Sequence, residues 1–300
     1  MFFDNYDTPV FRPPSEASSF ILRVTRGCAH NHCTYCNMYR GVPFQVLTEE
    51  EINRQIELAV HYGKNFVRRV FLADGDALVL STDKLLRLLK RLFDSFPHLE
   101  RVASYAAPKD LLHKSEDELR LLNQAGLKVL YYGMESGDDI TLKAVNKGVS
   151  GPEAVEAGRR AVAAGMKLSV MVILGLAGVE GSERHALETA KAINIIKPAY
   201  LSALCLMLYR GSELKEQFEA GLFNPPSPAG LMDELHLMME NIDLPAGTGC
   251  LFRSNHVSNY VNLAATLPEE KAPLLRAIKA GADELRKLKS WDIYNNDYTK

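Results

Sequence analysis

The sequence predicts an α/β fold with a parallel sheet, followed by a mainly helical C-terminal extension. Between residues 20 and 207, six strand-like runs alternate with helical segments, the pattern of successive βαβ units. Three of those runs, at residues 70–72, 170–174 and 201–208, are almost continuously apolar, as parallel strands covered on both faces are. With 300 residues and 47% hydrophobic composition, the chain can bury a large core. Six units suit either an open partial barrel or a doubly wound sheet, and periodicity does not separate the two.

Residues 1–19 read as an irregular arm, because Pro9, Pro13 and Pro14 break any period. A short β-leaning run follows at 20–25. Thr48 with Glu51 three residues on forms a capping box that opens an amphipathic helix to residue 62. Strands are then expected at 66–73, 99–104, 127–133, 167–174 and 200–207. The helices between them fall at 81–96, 115–124, 138–145, 152–164 and 182–195, with Gly126 and Gly165 as stops. Residues 178–183 read as turn and cap. The domain of six units spans residues 20–210. An extension over 211–290 follows, with helices expected at 213–221, 228–241 and 268–288, and 291–300 reads as a polar tail.

A net charge of −2 gives no electrostatic footprint for nucleic acid. The five cysteines are odd in number and clustered, which argues against a disulfide scaffold and for a reducing compartment. The first twenty residues carry charges and prolines rather than an apolar leader, and no run is long enough to span a bilayer. A soluble, cytoplasmic protein is expected.

The chemistry concentrates in one stretch. Cys28, Cys33 and Cys36 fall within nine residues as C-x4-C-x2-C, flanked by Gly27 and Gly41. Three convergent thiolates select zinc, copper(I) or an iron–sulfur centre. A structural zinc site needs four ligands, which His30 or His32 could complete; three cysteines on an iron–sulfur cluster would leave one iron open. In a parallel α/β fold, ligands gather at the carboxyl ends of the strands, and the unusual residues sit there. The cysteine loop follows the first strand and Asp74-Gly75-Asp76 the second. Ser104-Tyr105 follows the third, Glu135-Ser136-Gly137 the fourth, Gly175-Leu176 the fifth and Tyr209-Arg210-Gly211 the sixth.

Tyr35 stands just before the third cysteine, and this loop after a first strand resembles the cluster loop of radical S-adenosylmethionine (SAM) enzymes. The usual family spacing is C-x3-C-x2-C, so this chain has one extra residue. The resemblance covers roughly residues 20–210 and is nearest in style to the methylthiotransferase, elongator-type and oxygen-independent coproporphyrinogen oxidase branches. It implies a partial (β/α)6 TIM-like barrel that uses a [4Fe–4S] cluster to cleave SAM reductively. The resulting 5′-deoxyadenosyl radical abstracts hydrogen from substrate.

The resemblance also implies roles. Cys28, Cys33 and Cys36 hold the cluster. The segment with Asp74, Gly75 and Asp76 binds the methionine amino group, with Asp76 where the family has Glu. Glu135, with Ser136, faces the ribose. Lys147, twelve residues beyond Glu135, binds the methionine carboxylate. The apolar segment 172–176, which includes Gly175, packs on adenine, and Tyr35 lies beside it. Met171 stands where one branch has a ribose-binding Asp.

Residues 250–260 pack a thiol, a guanidinium, an imidazole and two amides together without helical period. They read either as a polar loop or as a lid over the barrel mouth, with Cys250, Arg253 and His256 as substrate-side catalytic candidates. Cys205, in an apolar strand, reads as an inert buried thiol. With two spare cysteines, a second cluster domain is not expected. No appended RNA-binding, cobalamin-binding or peptide-recognition module is visible, so a small-molecule substrate is expected with a reductant such as flavodoxin or ferredoxin. The alternatives are a tRNA-modifying enzyme of the same family and a non-catalytic zinc or iron–sulfur module.

Overall fold

The computed structural model describes residues 10–287. Its strands are β1 (Phe20–Arg23), β2 (Thr25–Arg26), β3 (Gln45–Val46), β4 (Arg69–Ala73), β5 (Arg101–Ala106), β6 (Leu127–Glu135), β7 (Lys167–Leu174), β8 (Tyr200–Cys205), β9 (Cys250–Ser254) and β10 (Leu263–Leu267). Its helices are α1 (Glu49–Gly63), α2 (Thr82–Ser95), α3 (Pro108–Leu112), α4 (Glu116–Gln124), α5 (Asp139–Ala144), α6 (Gly151–Ala163), α7 (Gly178–Ile196), α8 (Glu213–Glu219), α9 (Pro228–Asn241) and α10 (Lys271–Lys287). The expected βα alternation is present, and the fold is α/β with mostly parallel strands. The polar tail expected at 291–300 lies outside the described residues.

The chain divides into two compact units. The first comprises Met1–Asn31, Gly41–Gly133 and Arg160–Leu168. In it β1, β4, β5 and β6 pair side by side and in parallel, with Phe20 opposite Val70, Arg69 opposite Arg101 and Tyr105 opposite Tyr131. Val70 to Ala73 are completely buried, which is why β4 reads as an unbroken apolar run. Thr48 and Ser115 both form the reciprocal capping box, starting α1 and α4 where the sequence places them. Residues 1–9 of the expected arm lie outside the described residues, and the rest is not wholly irregular. A single turn at Pro14–Glu16 buries Glu16, which accepts from the Tyr131 hydroxyl (2.6 Å) and the Arg101 guanidinium (2.8 Å).

The second unit comprises His32–Arg40, Met134–Arg159 and Ser169–Lys300. Here β7, β8 and β9 run parallel and β10 closes the edge antiparallel to β9. Two expectations are corrected. Residues 178–183 are not a turn and cap: α7 begins at Gly178, four residues earlier than expected, because Gly178 and Gly181 disguise its first turn. Residues 250–254 are not part of an irregular lid: they form β9, paired with β8, and β10 adds a second strand to an extension expected to be mainly helical. The period-two signal was available. Cys250, Phe252 and Ser254 are buried while Leu251 and Arg253 face outward.

Candidate cofactor site

In the first unit, Asp74 follows β4 with a left-handed backbone (φ 70°), which costs a non-glycine residue about 1 kcal/mol or more. The surroundings impose it. Arg23 Nε at the end of β1 donates to Asp74 Oδ2, and both side chains are buried. Gln55 of α1 brackets Arg23, accepting from its N–H (3.0 Å) and donating to its carbonyl (2.9 Å). Gly75 N–H then donates to Gly27 O (3.0 Å). A Cβ on Gly75 would lie 2.8 Å from Cys28 Cα, so only glycine lets this loop pass beneath the first cysteine.

Asp76 is buried with Asp110 at the start of α3, where their carboxyl groups hydrogen-bond to each other. Burial, then Asp110, pushes the Asp76 carboxyl up to about 9, against the pull of Lys114 and the Val79 N–H. Lys114 donates to Leu80 O (2.8 Å) beside the pair.

In the second unit, the backbone of Thr34 is clamped from both sides. Its N–H donates to Val145 O (3.0 Å), and its carbonyl accepts from Leu214 N–H (2.9 Å). Asn146 Nδ2 reaches His32 O (3.1 Å), Asn37 Nδ2 reaches Arg210 O (3.0 Å), and Cys36 N–H turns back to Cys33 O (3.2 Å). The half-buried Tyr35 ring packs on Val145, Leu176, Leu206, Leu208 and Leu214. Burial raises its hydroxyl pKa well above the ordinary value, with Glu135, Cys33 and Cys36 adding to the shift.

Glu135 ends β6 in the left-handed region (φ 67°), and Lys147 Nζ donates to its Oε1 across 3.0 Å. The structure thus brings Tyr35, Cys33, Cys36, Glu135 and Lys147 into one neighbourhood.

Gly175 and Ser136 sit on a second polar layer. Gly175 (φ 81°) donates its N–H to Glu234 Oε1 of α9 (2.7 Å), and Ser182 Oγ donates to the other oxygen. A Cβ on Gly175 would stand 2.6 Å from Leu231 Cδ2. Ser136 Oγ hydrogen-bonds His185 Nδ1 (2.7 Å), and His185 Nε2 lies 3.5 Å from Glu234, all three residues buried. Ser136 is thus buried with its hydroxyl engaged by His185 and the Asp138 N–H.

The candidates of the extension fare differently. Cys250 is completely buried in β9, and burial pushes its thiol up to about 12, as for a core residue. Arg253 donates to its own neighbour Phe252 O (2.8 Å), and His256 pairs with Ser258 (2.9 Å). Cys205 is buried as expected, its thiol likewise raised to about 12.

Sequence reasoning missed Arg23, Asp110, Lys114, His185 and Glu234. Arg23 carries a charge inside an otherwise apolar run, and Asp110 lies just beyond the third strand. These are signals that could have found them.

Residues 22–190 match the radical SAM superfamily, more than half of the chain. The chain belongs to the radical SAM superfamily. Solved structures agree in fold. Methylornithine synthase is 15% identical with a TM-score of 0.53, covering 94% of this chain and 77% of its own. The coproporphyrinogen III oxidase of Escherichia coli is 17% identical at 0.55, covering 77% of this chain and 52% of its own. The radical SAM methyltransferase TsrM of Kitasatospora setae, solved with cobalamin and a [4Fe–4S] cluster, is 17% identical at 0.55 and covers 70% and 41%. This chain therefore spans only about half, or less, of the last two. No curated protein sequence matches it. The fold is the partial TIM-like barrel expected from the resemblance, with a largely helical C-terminal region.

Radical SAM proteins are enzymes that carry a [4Fe–4S] cluster and SAM. Among the described residues, no three His, Cys, Asp or Glu side chains gather closely enough to hold a single metal ion. The donor set is what fits a cluster: three partly exposed cysteines on one loop, soft ligands that can each meet a different iron. No helix among the described residues is long and apolar enough to cross a membrane.

Proposed function

We propose that Cys28, Cys33 and Cys36 ligate the [4Fe–4S] cluster, and that the chain binds SAM to act on a small-molecule substrate. When bound and reduced, the cluster supplies the electron that cleaves SAM into methionine and a 5′-deoxyadenosyl radical. Asp76 takes the methionine ammonium, Lys147 its carboxylate and Glu135 the ribose hydroxyls. Tyr35 and the Gly175–Leu176 segment pack on adenine. The carrying observation is the grouping of Tyr35, Glu135 and Lys147 beside Cys33 and Cys36, on strand-end loops of a chain that belongs to the family. Glu135 and Lys147 satisfy each other without ligand, and offer a cation to the methionine carboxylate and an acceptor to the ribose hydroxyls.

The balanced charge favours a small substrate over tRNA, and a flavodoxin or ferredoxin is the reductant class required. The test is anaerobic reconstitution with iron and sulfide, followed by reduction with SAM. Release of 5′-deoxyadenosine and methionine supports the reading. One zinc per chain, no iron and no cleavage overturns it. Tight, salt-dependent tRNA binding overturns the substrate class alone.

A further inference from the structure

The Asp76–Asp110–Lys114 group contains more charge than a structural contact needs. Asp76 and Asp110 are 3% and 8% exposed, and one oxygen of each, Asp76 Oδ1 and Asp110 Oδ2, has no hydrogen-bond donor in the fold. Lys114 is the cation facing them, 5% exposed, with Nζ held by Leu80 O. Glu118 also faces Lys114, but it is held by Thr82 Oγ1 (2.7 Å) and the Ser115 N–H (2.8 Å). Two carboxyl groups against one ammonium leave the site one positive charge short when both ionise. One proton on Asp76, whose carboxyl burial and Asp110 push up to about 9, restores that balance when no ligand is bound.

We propose that Asp110 is the positioning residue for Asp76, and that the ammonium group of SAM replaces the proton shared by this pair, so that cofactor binding expels a proton. This rests on the assignment of Asp76 to the methionine amino group. The balance is simple. The carboxylic acid gives its proton to solvent, the carboxylate left behind accepts N–H donors from the incoming ammonium, and no electrons move. Lys114 keeps the site neutral in both states: one proton beforehand, one ligand cation afterwards. Asp110 aims the Asp76 carboxyl and fixes the site's preference for a primary ammonium over a neutral group. Affinity then rises with pH while the free protein keeps the proton and SAM keeps its ammonium, and the slope flattens once the α-amino group of SAM deprotonates, at about pH 8.

The experiment is calorimetric titration of SAM into the reconstituted full chain at about pH 7, in two buffers of different ionisation enthalpy, which counts protons directly. Wild type should release close to one proton per SAM. The analogue lacking the amino group should release none and bind at least about tenfold more weakly. Asp110→Asn lets an amide donate to Asp76 and favours its ionised form. Proton release should fall below half, SAM should bind about threefold tighter, and the pH slope should flatten. Equal proton release by wild type and Asp110→Asn, or by SAM and the analogue on wild type, overturns the proposal. If Asp76→Asn and the analogue leave affinity unchanged, the assignment of Asp76 to the amino group fails instead. The analogue arm needs no variant, so misfolding of Asp110→Asn does not remove the test.

Discussion

Lys147 donates to Glu135 across 3.0 Å, with the two side chains only 13% and 10% exposed. The pair joins the end of β6 to the loop after α5, and Glu135 holds its place in a left-handed conformation. Replacing Lys147 by Met leaves a nearly buried carboxylate without this partner, which costs about 1–3 kcal/mol of stability. It also removes the proposed carboxylate contact, so SAM should bind at least about tenfold more weakly. Denaturant titration and equilibrium binding read the two effects separately. Unchanged SAM affinity would remove Lys147 from the site.

Gly75→Ala makes a sharper prediction, because the added carbon meets backbone. It would stand 2.8 Å from Cys28 Cα and 2.8 Å from Gly27 O, with no flexible side chain to yield. The cysteine loop must shift, at roughly 1–3 kcal/mol. Iron incorporation should fall severalfold although all three cysteines remain. Full iron loading of Gly75→Ala would show that the packing of this loop does not position Cys28.

The buried acid pair gives a pH dependence of known sign. Asp76 is ionised in the unfolded chain above about pH 4 but stays protonated in the fold up to about 9. The fold therefore binds more protons than the unfolded chain in that window, and its share of stability falls as pH rises through it. Asp76→Asn removes the effect. It should raise the melting temperature of the ligand-free protein near neutral pH by several degrees while weakening SAM binding. A lower melting temperature would mean that the carboxyl is needed for the fold itself.

Thiol chemistry should separate the five cysteines. Cys28, Cys33 and Cys36 are partly exposed, whereas Cys205 and Cys250 are buried with thiols pushed to about 12. Alkylation of the native apo chain followed by mass spectrometry should mark the first three and spare the other two. Cys250→Ala should keep SAM cleavage within about twofold and cost roughly 1–2 kcal/mol of stability. Loss of cleavage with an intact fold would return Cys250 to the catalytic list.

Much of the fold could be read from the sequence, because its signals are local and redundant. Thr48 and Ser115 cap the helices they announce, and the apolar β4, β7 and β8 fall where expected. The ligand candidates at strand ends could be read because parallel sheets put function there. What stayed hidden depends on long-range pairing. Arg23 finds Asp74 across 51 positions, and Ser136 finds His185 across 49. Residues 250–254 carried a two-residue period, but five residues are too few to outweigh their polar composition. Pairing with β8 decides the strand.

Glu234 ties the extension to the loop proposed to pack on adenine. One oxygen accepts from Gly175 N–H and the other from Ser182, while His185 stands 3.5 Å away. The carboxylate is completely enclosed, so each lost partner is felt at full desolvation cost. Glu234→Ala should cost roughly 2–4 kcal/mol and let Gly175 move. Glu234→Gln keeps a carbonyl to accept from Gly175, so it should recover most of the stability. If the link serves the cofactor, Glu234→Ala weakens SAM more than it weakens methionine alone, since methionine lacks the adenine that this loop contacts. Equal losses for both ligands would make Glu234 a brace of the fold and nothing more.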